Sequence, residues 1–283
     1  MESFKIGIRL GKMWTVQFFK DSKFITVTLF SFLFLFVYII PLRHEASLSA
    51  YGITPYILPL LYDMNTMYMM FVMILLVCDA PFAQKNNVFI NIRANMKSSF
   101  IGKLIYLFLT SVILQLTQFI LCLIMLVPYL SFSDNWGYII TKVVSEGFSE
   151  PTLYSGFAAR ISVIEEYTGF DALISQMLLN ASFTFLIGMV AFFLNGMFKK
   201  YIGTMVLIFI AIFDSIVNAA GFWITEIYKL YNYSLIRFIK LSSIAENERT
   251  VLYNILIMWT ISLVLIISTY IMFKIRFKDR EDV

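Results

Sequence analysis

The sequence predicts an all-α integral membrane protein, and three features carry that prediction. Of the 283 residues, 60% are hydrophobic and only 14% are charged, whereas soluble domains average about 25% charged residues. The apolar residues fall in long continuous runs, unlike the alternating pattern of a barrel strand. Lysine and arginine residues lie mainly between alternate runs. Together these features exclude an ordinary soluble enzyme, a disordered protein and a disulfide-bonded scaffold.

Six apolar runs are long enough to cross a bilayer, because a helix needs about 20 apolar residues to span a core about 30 Å thick. They comprise residues 24–42, 60–78, 104–130, 172–198, 202–224 and 251–273. We expect each run to form one helix and the chain 1–283 to form a single transmembrane domain.

The basic residues predict the orientation of these helices. Of the 22 lysine and arginine residues, 15 lie in the N-terminal segment, in residues 79–103, at 199–200 and in the C-terminal tail. Because basic residues are enriched in cytoplasmic loops, both termini are expected in the cytoplasm. The protein is then a multi-pass protein of a cell membrane, and an even number of spans agrees with that orientation.

Residues 3–20 are expected to form an amphipathic helix that lies in the cytoplasmic interface before the first span. Basic residues share one side of this helix and apolar residues share the opposite side. The basic side holds Lys5, Arg9, Lys12 and Lys20, and the apolar side holds Ile6, Leu10, Met13 and Trp14. The alternative is a charged anchor with no further role.

The connection 79–103 is expected to hold a short cytoplasmic helix. Asp79 can cap a helix that starts at Pro81. The later part alternates apolar residues such as Phe89 and Phe100 with basic residues such as Arg93. This pattern is typical of an amphipathic helix that docks on a protein, and the alternative is a solvated loop.

Two long connections lie on the predicted outer side. Residues 131–171 are too many for a turn and too apolar for a flexible linker, so we expect a small helical cap. Residues 225–250 alternate apolar and charged positions, and we expect short helices that re-enter the outer leaflet. A plain surface loop is the weaker alternative, because the tyrosines of this stretch suit the membrane interface.

Polar side chains within the spans are candidate functional residues, since burying them in a membrane is costly. The candidates for a shared translocation path are Gln115, Gln118, Asn180, Asp214 and Asn218, and Asp63, Asn65, Thr66 and Ser182 are further polar positions. The alternative is hydrogen bonding between helices, which is favoured for the two glutamines. For Asp214 a role at a pore, an interface or a gate is favoured.

No enzymatic or metal site is expected. The chain has one histidine, whereas a metal site needs several ligands close together. The run from Gly7 to Met13 lacks the spacing and the hydroxyl residue of a phosphate-binding loop. The pair Glu165-Glu166 resembles part of the active site of membrane-embedded prenyl-protein proteases. That site also needs a properly spaced arginine and a second histidine, which this sequence lacks. Energy for transport must then come from a partner or an ion gradient.

Certain residues carry a resemblance to a known family. The second-to-third connection reads Cys78-Asp79-Ala80-Pro81-Phe82, then Asn91-Ile92-Arg93, Ser99-Phe100 and Lys103, and the fourth span ends in Asn195-Gly196. With the order of helices described above, the chain resembles the membrane subunit of ABC-2-type (type V) ABC transporters, and small exporter permeases of Gram-positive bacteria in particular.

That resemblance implies a dimer with a second permease copy or a paralogue, and two cytoplasmic ABC ATPase subunits. The ATPases would bind ATP and magnesium, so the permease would need no cofactor and would be no enzyme. Residues 81–100 would form the coupling helix and residues 3–20 the connecting helix. Coupling residues would be Asp79, Pro81, Phe82, Phe89, Arg93 and Phe100.

The cargo class follows only loosely from the sequence. Related exporters move peptides, antibiotics, lipids or glycans, and the many Phe and Met residues favour an amphipathic or apolar cargo. Membrane lipids are expected partners and nucleic acid is not. Two other functions remain open: an ATP-independent channel or secondary carrier, and a sensor or immunity protein that holds cargo without moving it.

Overall fold

The structure is a computed structural model that describes residues 2–80, 95–133, 135–147, 161–198, 201–220, 234–246 and 249–281. Within these ranges nearly all regular structure is helical, and one isolated parallel bridge joins Ile53 to Leu130. Several of the helices are long and apolar. The prediction of an all-α membrane protein is confirmed at this level.

The described helices are named in chain order. They are α1 (Glu2–Phe18), α2 (Ser22–Leu48), α3 (Leu58–Met64), α4 (Thr66–Val77), α5 (Met96–Leu126), α6 (Tyr138–Glu146), α7 (Ile161–Glu166), α8 (Gly169–Met197), α9 (Ile202–Ala220), α10 (Leu235–Ile239), α11 (Leu241–Glu246) and α12 (Val251–Glu281). Short 3₁₀ turns, Pro55–Ile57 and Val127–Tyr129, precede α3 and follow α5.

Four of the described helices are each long and apolar enough to cross a membrane: α2, α5 with its 3₁₀ turn, α8, and α12 as far as Ile275. A fifth span results if α3 and α4 are counted together. The apolar part of α9, Ile202–Val217, is shorter. The membrane-spanning character is therefore shown, and the number six stays a prediction.

The expected second span, 60–78, is broken into α3 and α4, whose axes are bent by 96°. Asn65 lies at the break with non-helical dihedral angles (φ −130°, ψ 49°). The Thr66 hydroxyl donates to the Tyr62 carbonyl at 3.1 Å. Short polar side chains compete in this way with the hydrogen bonds of the helix backbone, and Asp63, Asn65 and Thr66 are weak helix formers. The continuous apolar composition hid this break.

Two other spans run past their predicted ends. The expected span 24–42 begins at Ser22, where the Asp21 carboxylate accepts from the Lys23 amide, and it continues to Leu48. The expected span 104–130 begins at Met96, capped by the Asn95 side chain. Apolar runs mark only the part of a helix that suits a membrane core, so the polar extensions were missed.

A helix is present where the N-terminal helix was expected, and one side of it is packed closely on another helix. α1 packs along the first half of α5, and Gly7 and Gly11 face it so closely that a Cβ atom would lie 2.8 Å and 2.7 Å from the side chains of Ile101 and Ile105. Small residues permit such approach. The predicted apolar residues Ile6 and Met13 are 39% and 37% exposed.

The buried side of α1 comprises Gly7, Gly11, Trp14, Thr15 and Phe18. Lys5, Arg9 and Lys12 are exposed on another side. The glycine pair thus decides which side meets α5, while Ile6 and Met13 of the predicted apolar side stay exposed. The location of this helix at a membrane surface stays a prediction.

The described parts of the expected cap 131–171 include α6 and α7, and residues 148–160 lie outside the described ranges. One side of α6 is buried, and Trp136 is 1% exposed. The Trp136 indole donates to the Tyr167 carbonyl at 2.8 Å, and the Thr54 hydroxyl donates to the Trp136 carbonyl at 2.6 Å. Lys142 also lies 3.5 Å from the buried Glu45 carboxylate of α2. These contacts join the segment to itself, to the stretch before α3 and to the outer part of α2.

Candidate functional site

The end of the bundle that carries α6, α7, α10 and α11 is called outer here, following the predicted orientation, and the opposite end inner. Residues 234–246, which contain α10 and α11, are called the outer segment. Polar side chains from other helices contact the beginnings of α10 and α11 and the end of α10, and these contacts form the first half of the candidate site.

Asp214 of α9 holds the beginning of α10. The Leu235 amide donates to Asp214 Oδ1 at 3.1 Å, and the Ile236 amide donates to Oδ2 at 2.7 Å. The Ser234 side chain also hydrogen-bonds to this carboxylate, and the positively charged Lys240 interacts with it electrostatically. The first amides of a helix have no acceptor inside the helix. Asp214, 6% exposed, therefore caps α10 from a different helix.

Asp63 holds the beginning of α11 in the same manner. The Ser242 amide donates to Asp63 Oδ1 at 3.2 Å, and the Ser242 hydroxyl donates to Oδ2 at 2.8 Å. Asp63 comes from the last turn of α3, just before the break with α4, and is 1% exposed. A buried carboxylate thus meets the start of each short helix.

Two amide side chains hold the end of α10. Gln176 of α8 donates to the Ile239 carbonyl at 3.0 Å, and Asn254 of α12 donates to the Phe238 carbonyl at 3.1 Å. Asp63, Gln176, Asp214 and Asn254 are together called the outer anchor. They come from four different helices, so the outer segment is fastened to most of the bundle.

The outer segment is also packed through apolar side chains. Ile236, Ile239, Leu241 and Ile244 are each at most 2% exposed. Three polar atoms beside them have no hydrogen-bond partner within the described part of the chain: Gln176 Oε1, Asn180 Nδ2 and Asn254 Oδ1. Buried polar atoms without hydrogen-bond partners are costly. The packing around the outer segment therefore contains polar atoms whose hydrogen bonds are incomplete.

The two predicted glutamines lie in a second polar group. The Tyr62 hydroxyl donates to Gln118 Oε1 and lies 3.3 Å from Gln115 Oε1, and Gln118 Nε2 donates to the Ser31 hydroxyl at 3.2 Å. Ser31, Tyr62, Gln115 and Gln118 are called the glutamine cluster. It joins α2, α3 and α5, and each such bond contributes about 0.6–2 kcal/mol in a membrane.

The predicted path residues therefore fall into two groups. Gln115 and Gln118 belong to the glutamine cluster, and Asp214 belongs to the outer anchor. Asn180 accepts a hydrogen bond from Gln176 at 2.9 Å and so lies beside the outer anchor. Asn218 lies in α9, and its side chain is outside what the structure describes. Whether these residues line a translocation path stays a prediction.

At the inner end, residues 78–80 are held by side chains of three helices. Lys23 at the start of α2 forms an ion pair with Asp79. Asn195 Nδ2 of α8 donates to the Ala80 carbonyl at 2.6 Å, and the Thr204 hydroxyl of α9 donates to the Cys78 carbonyl at 2.8 Å. These three side chains, Lys23, Asn195 and Thr204, are called the inner anchor.

Asn195 has a second bond that joins two helices. Its Oδ1 atom accepts from the Gly203 amide at 2.6 Å, in the first turn of α9. The approach is close, since a Cβ atom on Gly203 would lie 2.9 Å from Asn195 Oδ1 and from the Ala191 carbonyl. One amide side chain thus connects the chain after α4, the end of α8 and the start of α9.

Of the predicted coupling residues, the structure describes Asp79 and Phe100. Phe100 is 7% exposed and its ring lies 5.9 Å from Phe192, 5.5 Å from Tyr270 and 6.2 Å from Phe273. Its described contacts are therefore within the bundle. Pro81, Phe82, Phe89 and Arg93 lie outside the described residues.

Several anchor residues were not predicted from the sequence. Gln176 lies four residues before Asn180, so both share a face of one helix, and that spacing is a usable signal. Asn254 and Thr204 stand near the ends of their spans and looked like ordinary boundary residues. Within the described part of the chain, no three metal-binding side chains come together.

Comparison of the chain with protein-family models, with curated proteins and with solved structures finds no significant match.

Proposed function

We propose that this protein is the membrane-spanning subunit of an ATP-driven ABC exporter of the ABC-2 type. It would have six spans in a bacterial cell membrane, with both termini in the cytoplasm. Its cargo would be amphipathic or apolar, such as a peptide, an antibiotic or a lipid. Two cytoplasmic ATPase subunits would bind ATP and magnesium, and a second copy or a paralogue would complete the transmembrane dimer.

The inner anchor is the observation that carries this proposal. A permease driven by separate ATPases needs a docked inner segment whose movement reaches the spans. Residues 78–80 directly precede the proposed coupling residues 81–100, and Asn195 and Thr204 bond them to α8 and α9. A force on the coupling residues would then act on two long helices.

The packing of α1 on α5 supports the same function. Gly102 of α5, two residues after Phe100, faces Leu10 and Trp14 of α1 at 3.0 Å from a built Cβ atom. The proposed connecting helix therefore packs beside the far end of the proposed coupling residues. An ATPase that docks at this end would contact elements fixed to both ends of residues 81–94.

Co-purification with an ATPase tests the proposal. The chain should be expressed in its native host and purified through a tag on the permease, and ABC ATPase subunits should be sought among the proteins that co-purify. We expect a stable complex that hydrolyses ATP, and we expect Arg93→Glu to weaken it strongly, because a docking surface depends on positioned charge. Arg160→Glu, on the predicted outer side, is the matched control.

Failure of the ATPase to bind would argue for the alternatives. Transport without nucleotide would then indicate an ATP-independent channel or secondary carrier. Retention of cargo without transport would indicate a sensor or immunity protein.

The orientation is tested separately with single cysteines in intact cells. We expect an impermeant maleimide to label Glu146→Cys and to leave Asn87→Cys unlabelled. The reverse pattern would overturn the proposed topology, and with it a cytoplasmic position for the coupling residues.

A further inference from the structure

We propose that the outer segment, residues 234–246, is a displaceable gate that the outer anchor holds closed. The displacement is a property of the fold, whereas its use as the gate of an exporter rests on the function proposed above. The argument depends on which groups hold the segment, on what remains unpaired around it and on where it is attached.

The first point is the kind of contact. The outer anchor binds main-chain groups at the ends of α10 and α11: amides at both beginnings and carbonyls at the end of α10. All of these contacts are hydrogen bonds, and none of them replaces a backbone hydrogen bond inside α10 or α11. The segment can therefore leave with both short helices intact, since each bond involves a helix end.

The second point is the state of the neighbouring polar atoms. Gln176 Oε1, Asn180 Nδ2 and Asn254 Oδ1 have no partner among the described residues while the segment is seated. The three residues are each at most 2% exposed. Water that enters when the segment leaves would satisfy these atoms, and buried polar groups gain from such pairing. This gain offsets part of the cost of exposing the apolar side chains.

The third point is the position of the carboxylates. Asp63 lies beside a break in the backbone, between α3 and α4, and Asp214 lies on a helix, α9, whose first turn is bonded to Asn195 of the inner anchor. A small movement of α9 would lengthen the two Asp214 bonds together, because both start from one side chain.

Cysteine labelling of the purified chain in lipid nanodiscs tests the proposal without any ATPase or cargo. Cys78→Ser and Cys122→Ala remove the native thiols, and Leu241→Cys, at a position that is 0% exposed, reports opening. A water-soluble maleimide reacts only when the segment leaves. If reclosing is fast, the labelling rate is proportional to the open population.

We expect Asp214→Ala to raise the labelling rate of Leu241→Cys by at least about tenfold, because two bonds to one buried carboxyl group are lost. Asp63→Ala should have a similar effect, and the double variant a larger one. Asp214→Asn keeps one acceptor atom and should fall between. The control Asp171→Ala removes an exposed carboxylate that accepts from the Thr168 hydroxyl at the start of α8. This local, solvated bond does not involve the outer segment, so the variant should change the labelling rate little.

A second reporter separates opening of the gate from general unfolding. Val143 of α6 is also 0% exposed, so Val143→Cys should stay protected in the Asp214→Ala variant. If Leu241→Cys disturbs folding, Ser243→Cys is a nearly isosteric replacement within α11. An unchanged rate at both segment reporters, or an equal rise at Val143→Cys, would overturn the gate, whereas loss of ATPase binding alone would overturn only the exporter.

Discussion

The inner and outer anchors both hold a short stretch of chain against the bundle, but they use different side-chain chemistry. In each, side chains from several helices hold this stretch mainly through its main-chain groups. The outer anchor uses two carboxylates that are 1% and 6% exposed. The inner anchor uses an amide, a hydroxyl and an ion pair whose Asp79 side chain is 39% exposed. Several bonds that converge on one buried carboxyl group are costlier to lose than single neutral bonds or a solvated ion pair.

This difference predicts how each end should respond to the loss of a side chain. The outer end should resist a disturbance until one carboxylate is lost and then change sharply, because several bonds depend on each carboxylate. The inner end should be destabilised gradually as its side chains are removed one by one, since each of its bonds is separate and weaker. Such an arrangement suits a protein that receives a movement at the inner end and opens at the outer end.

The largest effect is expected from the loss of an outer carboxylate. Asp214→Ala leaves two buried amides without an acceptor and should lower the free energy of unfolding by about 3 kcal/mol. Asp63→Ala should cost a similar amount. The measurement is thermal or chemical unfolding of the purified protein in detergent, with Asp171→Ala as the exposed control. A loss below about 1 kcal/mol for both variants would remove the contrast between the two anchors.

A smaller effect is expected from the inner amide. Asn195→Ala removes one donor and one acceptor that are neutral, so it should lower the free energy of unfolding by about 1–2 kcal/mol. The proposed complex should still bind ATPase, but hydrolysis should no longer respond to changes at the outer end. Asn87→Ala, in the same predicted inner connection, is the control for binding. A destabilisation as large as that of Asp214→Ala would contradict the ranking.

The ion pair of the inner anchor should matter least for stability. Lys23→Ala or Asp79→Ala should each change the free energy of unfolding by no more than about 1 kcal/mol, because exposed pairs are screened by solvent and salt. The effect should shrink further in high salt. Parallel unfolding curves at low and high salt check this, and a large effect that is insensitive to salt would show that the pair behaves as a buried one.

The sequence predicted the helical class and the polar residues worth attention, but it missed what those residues contact. Continuous apolar runs identify membrane helices because only backbones with internal hydrogen bonds tolerate lipid. Asp214 stood out because a carboxylate in such a run is costly. The structure bonds it to the Leu235 and Ile236 amides, and because any residue type can supply a main-chain amide, no sequence pattern reports this contact.

The remaining features depend on distant pairings or on shape. Asp63 and Ser242 are 179 positions apart, and no local pattern reports such a contact. The break at Asn65 depends on competing side-chain bonds within an apolar run. The side of α1 that faces α5 depends on the absence of side chains at Gly7 and Gly11, which a hydrophobicity pattern treats as neutral.

The smallest and most informative effect should connect the two anchors. α9 is bonded to the inner anchor through Gly203 and Thr204 and to the outer segment through Asp214. Thr204 and Asp214 are ten residues apart, which is about 15 Å along a helix. A continuous helix of this length moves largely as one body, so a change at its inner end should alter the outer bonds.

We therefore expect Asn195→Ala to raise the labelling rate of Leu241→Cys by about fivefold, at the lower end of the range typical of coupling between sites. Thr204→Val should act in the same direction. The double variant with Asp214→Ala should label no faster than Asp214→Ala alone, because the bond that carries the effect is already lost. That non-additivity is the decisive measurement: independent, additive changes would mean that the two anchors respond separately and that α9 does not link them.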